Sequence, residues 1–333
     1  MNGASPVTID VVVCTYNNAP LLDETLAALG RQRVPSENVD WRVVVVDNNC
    51  TDDTPEVVAA HVLRAAMPLR LVRETEQGLT PARLRGVRET TADWIAFVDD
   101  DCVLDEDWIE RAAAFARAHP TCGAFGGQVV LDWEEAPSDV VARYAWAYAH
   151  QQQGDEPKRM ECLAGAGMVI RRSALEASGW VEQRFLQDRV GDKLISGGDV
   201  EMALRLGAEH ELWYEPSCSL RHRIPARRGS LRYLNDVVYG LGSSKLLGDS
   251  MLWPGSYRRW LLTSLVGSRE WAVPTLRFAA RALLGRGGGQ DARVTFSFLR
   301  GWWAGIVRLL RMDAAERRAL LGCALPKVDP ASR

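Results

Sequence analysis

Asp99, Asp100 and Asp101 stand side by side at the end of the apolar run "ADWIAFVDDD", and no basic residue occurs between Ala96 and Trp108. Adjacent carboxylates raise one another's pKa unless a cation neutralises them. Hard oxygen donors suit Mg2+ or Mn2+, and Mg2+ is commonly held by one or two carboxylates together with substrate phosphates. The triplet therefore predicts a metal–diphosphate site with a nucleotide beneath it.

Two further polar clusters end apolar runs, which with the triplet makes three such tips. Thr15-Tyr16-Asn17-Asn18 follows "VTIDVVVC", Asp47-Asn48-Asn49 follows "WRVVVV", and Asp199 opens the helical pattern "GGDVEMALRLG". Asp and Asn end strands and cap helices for reasons of turn chemistry alone. Three polar tips on one edge of a parallel sheet point instead to a ligand, because ligands bind outside the carboxyl ends of such strands.

The elements that must position these residues follow from hydrophobic periodicity. "VTIDVVVCTY", "WRVVVVDNNC", "LRLVRE" and "ADWIAFVDDD" read as strands. "NNAPLLDETLAALGRQ", "TDDTPEVVAAHVLRAA" and "GLTPARLRGVRETT" read as the helices between them, and Asp105, Glu106 and Asp107 as the start of the next. Alternating strands and helices predict an α/β fold with an open, mostly parallel sheet. Beyond residue 120, "CGAFGGQVVL" and "ELWYEP" read as strands and "DVVARYAWAYAHQQQ" as a helix. "CLAGAGMVIRRSALEASG" reads as a strand or hairpin entering a helix, and residues 229–333 as helices broken at "WPGS" and "GRGGGQ".

Composition excludes several classes. With 47% apolar and 25% charged residues the chain is not a disordered one. Its seven cysteines are scattered without a CxxC pair, which argues against a disulfide framework or zinc knuckle and fits a reducing cytoplasm. Neither a signal-peptide pattern nor an apolar run of about 18 residues occurs, so the expectation is a cytoplasmic protein, peripheral at most to the inner face of a membrane. Residues 1–220 hold 20 basic and 36 acidic residues, whereas residues 221–333 hold 20 basic and 7 acidic ones. Segments such as "YRRWLLTSLVG", "TLRFAARALLG" and "FLRGWWAGIVRLLRM" fit either an interfacial helix pair on an anionic membrane or a helical cap and homo-oligomer interface. Nucleic acid is not an expected partner, since no binding fold or zinc-finger spacing is present. A receiver domain or phosphohydrolase would carry acids at its first strand, which here ends in Cys14-Thr15-Tyr16.

Over about residues 8 to 225 the chain resembles the family 2 glycosyltransferases of GT-A fold. "VVVCTYNN", "VVVVDNNCTDDT", "QGLTPARLRGV" and "FVDDDC" carry the likeness, followed by "LAGAGMVIRRSAL" and "SGGDVEMALRLG". The resemblance implies a GT-A catalytic domain at 1–228, with a nucleotide-binding half at 1–120 and an acceptor half at 121–228. A basic helical extension follows at 229–333. It implies a nucleotide-diphospho-sugar donor, with UDP favoured, contacted by Thr15, Tyr16, Asn17, Asp47, Gln77 and Arg83. Asp99 and Asp100 join that list, and Leu84 replaces an Asn common in the family. "FVDDDC" resembles the DxD motif, so Asp101 is the expected ligand of Mn2+ or Mg2+, with Asp99 beside it. Gly165, Ala166 and Gly167 would line the sugar pocket, although tight packing in a turn explains small residues equally well. Gly198 stands where the family commonly has Glu, and Asp199 occupies the position of the general base of inverting members. His222 in "SLRHRIPARR" would complete the metal site or touch the diphosphate. Arg221, Arg223, Arg227 and Arg228 around it suit phosphate oxygens. The implied acceptor is a glycan, a lipid-linked sugar or a small molecule. The alternative is a non-catalytic nucleotide-sugar-binding scaffold of the same fold.

Overall fold

A computed structural model describes residues 6–34, 39–186, 188–189 and 197–326. Strand and helix alternate through β1 (Val7–Thr15), α1 (Ala19–Gly30), β2 (Val39–Asp47), α2 (Thr54–Arg64), β3 (Leu69–Arg73), α3 (Leu79–Glu89) and β4 (Trp94–Asp99). β1 and β2 are continuous β-branched runs because helices cover both faces of their sheet. Val11, Val13, Val43 and Val45 are accordingly wholly buried. Pro20 and Pro55 sit in the first turns of α1 and α2, where a missing N–H costs nothing.

The chain continues through β5 (Cys102–Leu104), α4 (Trp108–Ala118), β6 (Ala124–Gly126), β7 (Val129–Trp133), α5 (Asp139–Arg143), β8 (Lys158–Met160), β9 (Met168–Arg171) and α6 (Arg172–Ala177). After these come α7 (Gly198–Gly207), β10 (Leu212–Tyr214) and β11 (Leu220–Ile224). One sheet has the order β3-β2-β1-β4-β9-β6-β10-β8, and a small sheet has the order β5-β11-β7. β1, β2, β3 and β4 are parallel neighbours, whereas β9 runs antiparallel to both β4 and β6. The expected mostly parallel sheet is present.

Two local expectations need correction. "CGAFGGQVVL" is not one strand, because β6 belongs to the large sheet and β7 to the small one. The chain changes sheets at Gly127, where a Cβ would lie 1.6 Å from the Cys218 carbonyl oxygen. "DVVARYAWAYAHQQQ" is helical only through α5 and a 3-10 turn at Ala145–Tyr148. Tertiary bonds override its helical propensity: the Tyr148 ring meets Trp133 edge-on at 4.9 Å, and its hydroxyl donates to the Arg228 carbonyl at 2.9 Å.

By packing, the chain forms two compact units. The first comprises Met1–Asp132, Ala149–Gln183 and Glu209–Ile224; the second comprises Trp133–Tyr148, Arg184–Ala208 and Pro225–Arg333. In the first, Leu22, Leu26, Leu29, Trp108, Ile109 and Phe125 pack against β1 and β2 to form the core. The second contains α7 and the helices α8 (Leu231–Met251), α9 (Tyr257–Gly267), α10 (Arg269–Leu283), α11 (Gly289–Arg311) and α12 (Ala314–Leu320). Its long helices α8 and α11 approach closely because the crossing is lined with glycine. A Cβ at Gly301 would lie 2.0 Å from the Tyr239 carbonyl oxygen, and one at Gly242 would lie 2.3 Å from that of Phe298.

Candidate active site

Register alone brings the sequence-predicted tips together in the first unit. Cys14 pairs with Asp99 and Thr15 with Asp47, so β1, β2 and β4 end level with one another. Hydrogen bonds then tie the loops beyond them. The Cys50 N–H donates to Asp47 Oδ1 at 2.7 Å, and the Thr51 N–H to Asn17 Oδ1 at 2.7 Å. Asn48 Oδ1 accepts from the Gly78 N–H at 2.7 Å and from Gln77 Nε2 at 3.2 Å. Asn17 and Asn49 hold left-handed backbones, with φ of 50° and 64°, a conformation Asn tolerates better than most residues. Thr15, Tyr16, Asn17, Asp47 and Gln77 therefore share one rim, with Tyr16 exposed and Thr15 and Asp47 buried. Asn48 is a positioning residue that sequence reasoning did not assign; its only signal was its place after Asp47.

The acidic triplet begins at the last residue of β4. Asp101 is buried, and its carbonyl accepts the Arg223 N–H at 2.8 Å. The antiparallel β5–β11 ladder sets His222 opposite Cys102 and so carries its Nε2 to 3.2 Å from Asp101 Oδ1. His222 is itself buried, while its strand neighbours Arg221 and Arg223 alternate to the other face. There Arg223 grips Glu24 at 2.8 Å and Asp132 at 2.7 Å. Of the arginines expected to meet phosphate, Arg223 is thus engaged by structural acids.

Asp100 accepts from Asn18 Nδ2 at 2.8 Å. Burial, and next the charge of Asp101, push its carboxyl up to about 7 despite that bond. Arg83, also buried, lies with its guanidinium over the Phe97 ring at 5.6 Å and Nη2 3.9 Å from Asp99 Oδ1. It brings positive charge to a cluster otherwise dominated by carboxylates. Among the described residues, Asp99, Asp101 and Cys102 offer donor atoms within 4.8 Å of one another. The Cys102 thiol is held well above its ordinary pKa by burial and by the charges of Asp101 and Asp99. A neutral thiol is a poor ligand for a hard cation, whereas two carboxylates and an imidazole suit one. Asp99 and Asp101, with the His222 imidazole 3.2 Å from Asp101, are thus donor types that fit Mn2+ or Mg2+.

The Gly167 N–H donates to the Phe97 carbonyl at 2.9 Å, which sets the buried stretch Gly165, Ala166 and Gly167 beside the end of β4. Gly167 has φ of 75°, and a Cβ there would lie 2.5 Å from Leu220 Cδ2. Packing and backbone geometry both require glycine at that position.

Asp199 lies in the second unit, in the first turn of α7. The helix start is fixed by a residue that the sequence did not single out. Asp188, buried, accepts the N–H groups of Gly198 at 2.7 Å and Gly197 at 3.3 Å. A Cβ on Gly198 would lie 2.3 Å from Asp188 Oδ2, so this carboxylate occupies the space a side chain at 198 would need. One turn on, buried Glu201 accepts the Phe185 and Leu186 N–H groups at 2.8 and 2.6 Å and pairs with Arg205 at 2.8 Å. Asp188 satisfies backbone donors at the start of α7, where the helix dipole favours negative charge, whereas Glu201 satisfies two donors of the segment before the helix.

The architecture is that of GT-A glycosyltransferases. The mannosyltransferase PcManGT from Pyrobaculum calidifontis, solved in complex with GDP-Man and Mn2+, matches with a TM-score of 0.53 at 20% identity, over 96% of this chain and 79% of that one. The glycosyl transferase family 2 model matches residues 10–179, just over half the chain, and the chain belongs to that family. Glucosyl-dolichyl phosphate glucuronosyltransferase of Haloferax volcanii is 24% identical over 263 residues, covering 74% of this chain and 78% of that protein. A PGL/p-HBAD biosynthesis glycosyltransferase of Mycobacterium tuberculosis is 30% identical over 129 residues, or 38% of this chain and 48% of that one.

Proposed function

We propose that this glycosyltransferase moves a sugar from a nucleotide-diphospho-sugar, UDP-linked by preference, to an acceptor hydroxyl with inversion at the anomeric carbon. The observation that carries the reading is the 3.2 Å approach of His222 to Asp101, next to Asp99, at the level edge of β1, β2 and β4. In this reading Asp101, Asp99 and His222 hold Mn2+ or Mg2+. A bound divalent cation stabilises charge that develops on a leaving diphosphate. Thr15, Tyr16, Asn17, Asp47, Gln77 and Arg83 hold the nucleotide, with Asp100 assisting, and Gly165 and Ala166 leave room for the sugar.

Asp199 acts as the general base. Its carboxylate takes the acceptor hydroxyl proton as the oxygen bonds to the anomeric carbon. The bond from that carbon to the donor phosphate breaks, and its electron pair leaves with the nucleoside diphosphate. A single displacement inverts the configuration and needs no second carboxylate. The acceptor is a glycan, a lipid-linked sugar or a small molecule. The Haloferax relative, named for a glucosyl-dolichyl phosphate, favours a lipid-linked sugar among these.

A thermal-shift screen of UDP- and GDP-sugars, with and without Mn2+, tests the donor site, because a ligand that binds only the native state raises Tm. The expected result is a shift that requires both nucleotide sugar and metal. No shift at millimolar concentration from any nucleotide sugar would overturn the donor assignment. Asp199→Asn tests the base: donor-induced shift retained with transfer lost supports it, and unchanged transfer removes Asp199 from the mechanism.

A further inference from the structure

Among the described residues no helix is long and apolar enough to cross a membrane. The second unit nevertheless exposes an apolar helical surface on α9 and α10. α10 contains no buried residue, although Val273, Leu276 and Leu283 are 42%, 68% and 89% exposed. In α9 only Trp260 and Ser264 are buried, and Leu262 and Val266 are 65% and 55% exposed on the opposite side. Ser268 joins the two helices with right-handed helical dihedrals (φ −57°, ψ −23°). Exposed positions recur at intervals of three and four within each helix, 258, 262 and 265/266 in α9 and 269, 273, 276, 280 and 283/284 through α10 and its C-cap, so each helix presents one face outward.

The charge on these helices says what covers that face. Residues 257–286 hold six arginines and a single acid, Glu270. Arg258 and Arg259 lie one turn before Leu262, and Arg277 and Arg281 border the stripe of Leu276, Ala280 and Leu284; all four are exposed. An apolar stripe bordered almost wholly by arginine complements anionic headgroups above an acyl interior. A copy of the same face would set arginine against arginine. The third segment of similar composition, α11, buries Val294, Phe298, Trp302, Ile306 and Leu309 on one side and exposes Phe296, Trp303, Val307 and Leu310 on the other.

We propose that α9 and α10 dock this protein on the surface of an anionic lipid bilayer. Val273, Leu276, Leu283 and Leu284 enter the acyl boundary, and Arg258, Arg259, Arg277 and Arg281 meet lipid phosphates. The inference rests on the exposed face and not on the donor-site reading, so its test needs no turnover.

Flotation of the full chain with vesicles of phosphatidylcholine, alone or with about 30 mol % phosphatidylglycerol, is the experiment. Binding is expected to the anionic vesicles, weakening with salt because the headgroup attraction is screened. Leu276→Glu with Leu283→Glu, both solvent-facing, should lower partition at least about tenfold, and Arg277→Glu with Arg281→Glu should act in the same direction. Leu63→Glu, at an equally exposed leucine of α2, should leave partition unchanged. Equal binding to neutral vesicles, or partition unaffected by both double substitutions, would overturn the proposal. So would a dimer in sedimentation velocity that the Leu276/Leu283 substitutions dissociate.

Discussion

Substitution of His222 separates two accounts of the contact with Asp101, because they differ in sign. As a ligand, a neutral imidazole completes the set formed with Asp99 and Asp101, and His222→Ala removes one of three protein donors. Loss of a group that only orients a metal ligand costs about 10–100-fold in metal affinity, or about 1.4–2.7 kcal/mol, so loss of a ligand itself should cost at least about tenfold. As a cation, His222 would instead neutralise Asp101 across 3.2 Å and compete with the metal, and its removal would leave affinity equal or higher. The ring is 7% exposed, so the substitution also costs about 1–3 kcal/mol of folding stability. The assay must therefore run well below the melting transition of the variant. Isothermal titration with Mn2+, alongside kcat as a function of free Mn2+, reads the affinity directly. The expected result is a Kd and a half-saturating Mn2+ concentration that rise together by at least about tenfold, with kcat at saturating metal less affected. A variant that binds Mn2+ as tightly as the parent, or more tightly, would refute His222 as a ligand.

Three more outcomes follow from the geometry. Gly198→Ala places a Cβ 2.3 Å from Asp188 Oδ2 and must dislodge the cap of α7. It should cost about 1–3 kcal/mol in a melt and lower kcat more than donor affinity, and parent-like kcat would refute Asp188 as the residue that positions Asp199. Asp100 has a folded pKa raised from 3.8 to about 7, first by burial and then by Asp101. Its stabilisation is full below the unfolded value and is lost as pH rises towards 7, so the metal-free Tm should fall between about pH 4 and pH 7 and excess Mn2+ should oppose the fall. Burial works against ionisation of Asp10, but bonds from Arg42 and from the Ala92 and Thr91 N–H groups hold its pKa below the usual value. Its stabilisation is lost only as pH drops below about 4, outside that window. Gly301→Ala gains about 1 kcal/mol of helix propensity but sets a Cβ 2.0 Å from the Tyr239 carbonyl oxygen. Backbone cannot yield as a side-chain tip does, so net destabilisation by thermal melt is the expected result.

The alternating strands and helices from β1 to β4 were legible because their signals are local. Valine runs mark buried parallel strands, and the Asp and Asn residues at their ends mark the polar edge of the sheet. The Asp triplet sets three adjacent carboxylates at the end of β4, a charge cluster visible in the sequence alone. Between Trp133 and Tyr148 the same reasoning failed, since the bonds that curtail the helix come from Trp133 and Arg228, one close in sequence and one 80 residues away.

What the sequence by itself determined is the family likeness, the parallel sheet and the acidic tip of β4, all written within short segments by periodicity and charge. Tertiary structure alone decided that His222 reaches Asp101, because strand register across more than a hundred residues carries it there. It also decided that Arg223 turns away to Glu24 and Asp132, since alternate residues of a strand face opposite sides. Asp188 at the start of α7 and the lack of any buried residue in α10 belong to the same class. A helical pattern states that a face is apolar; only packing determines which face remains for a partner.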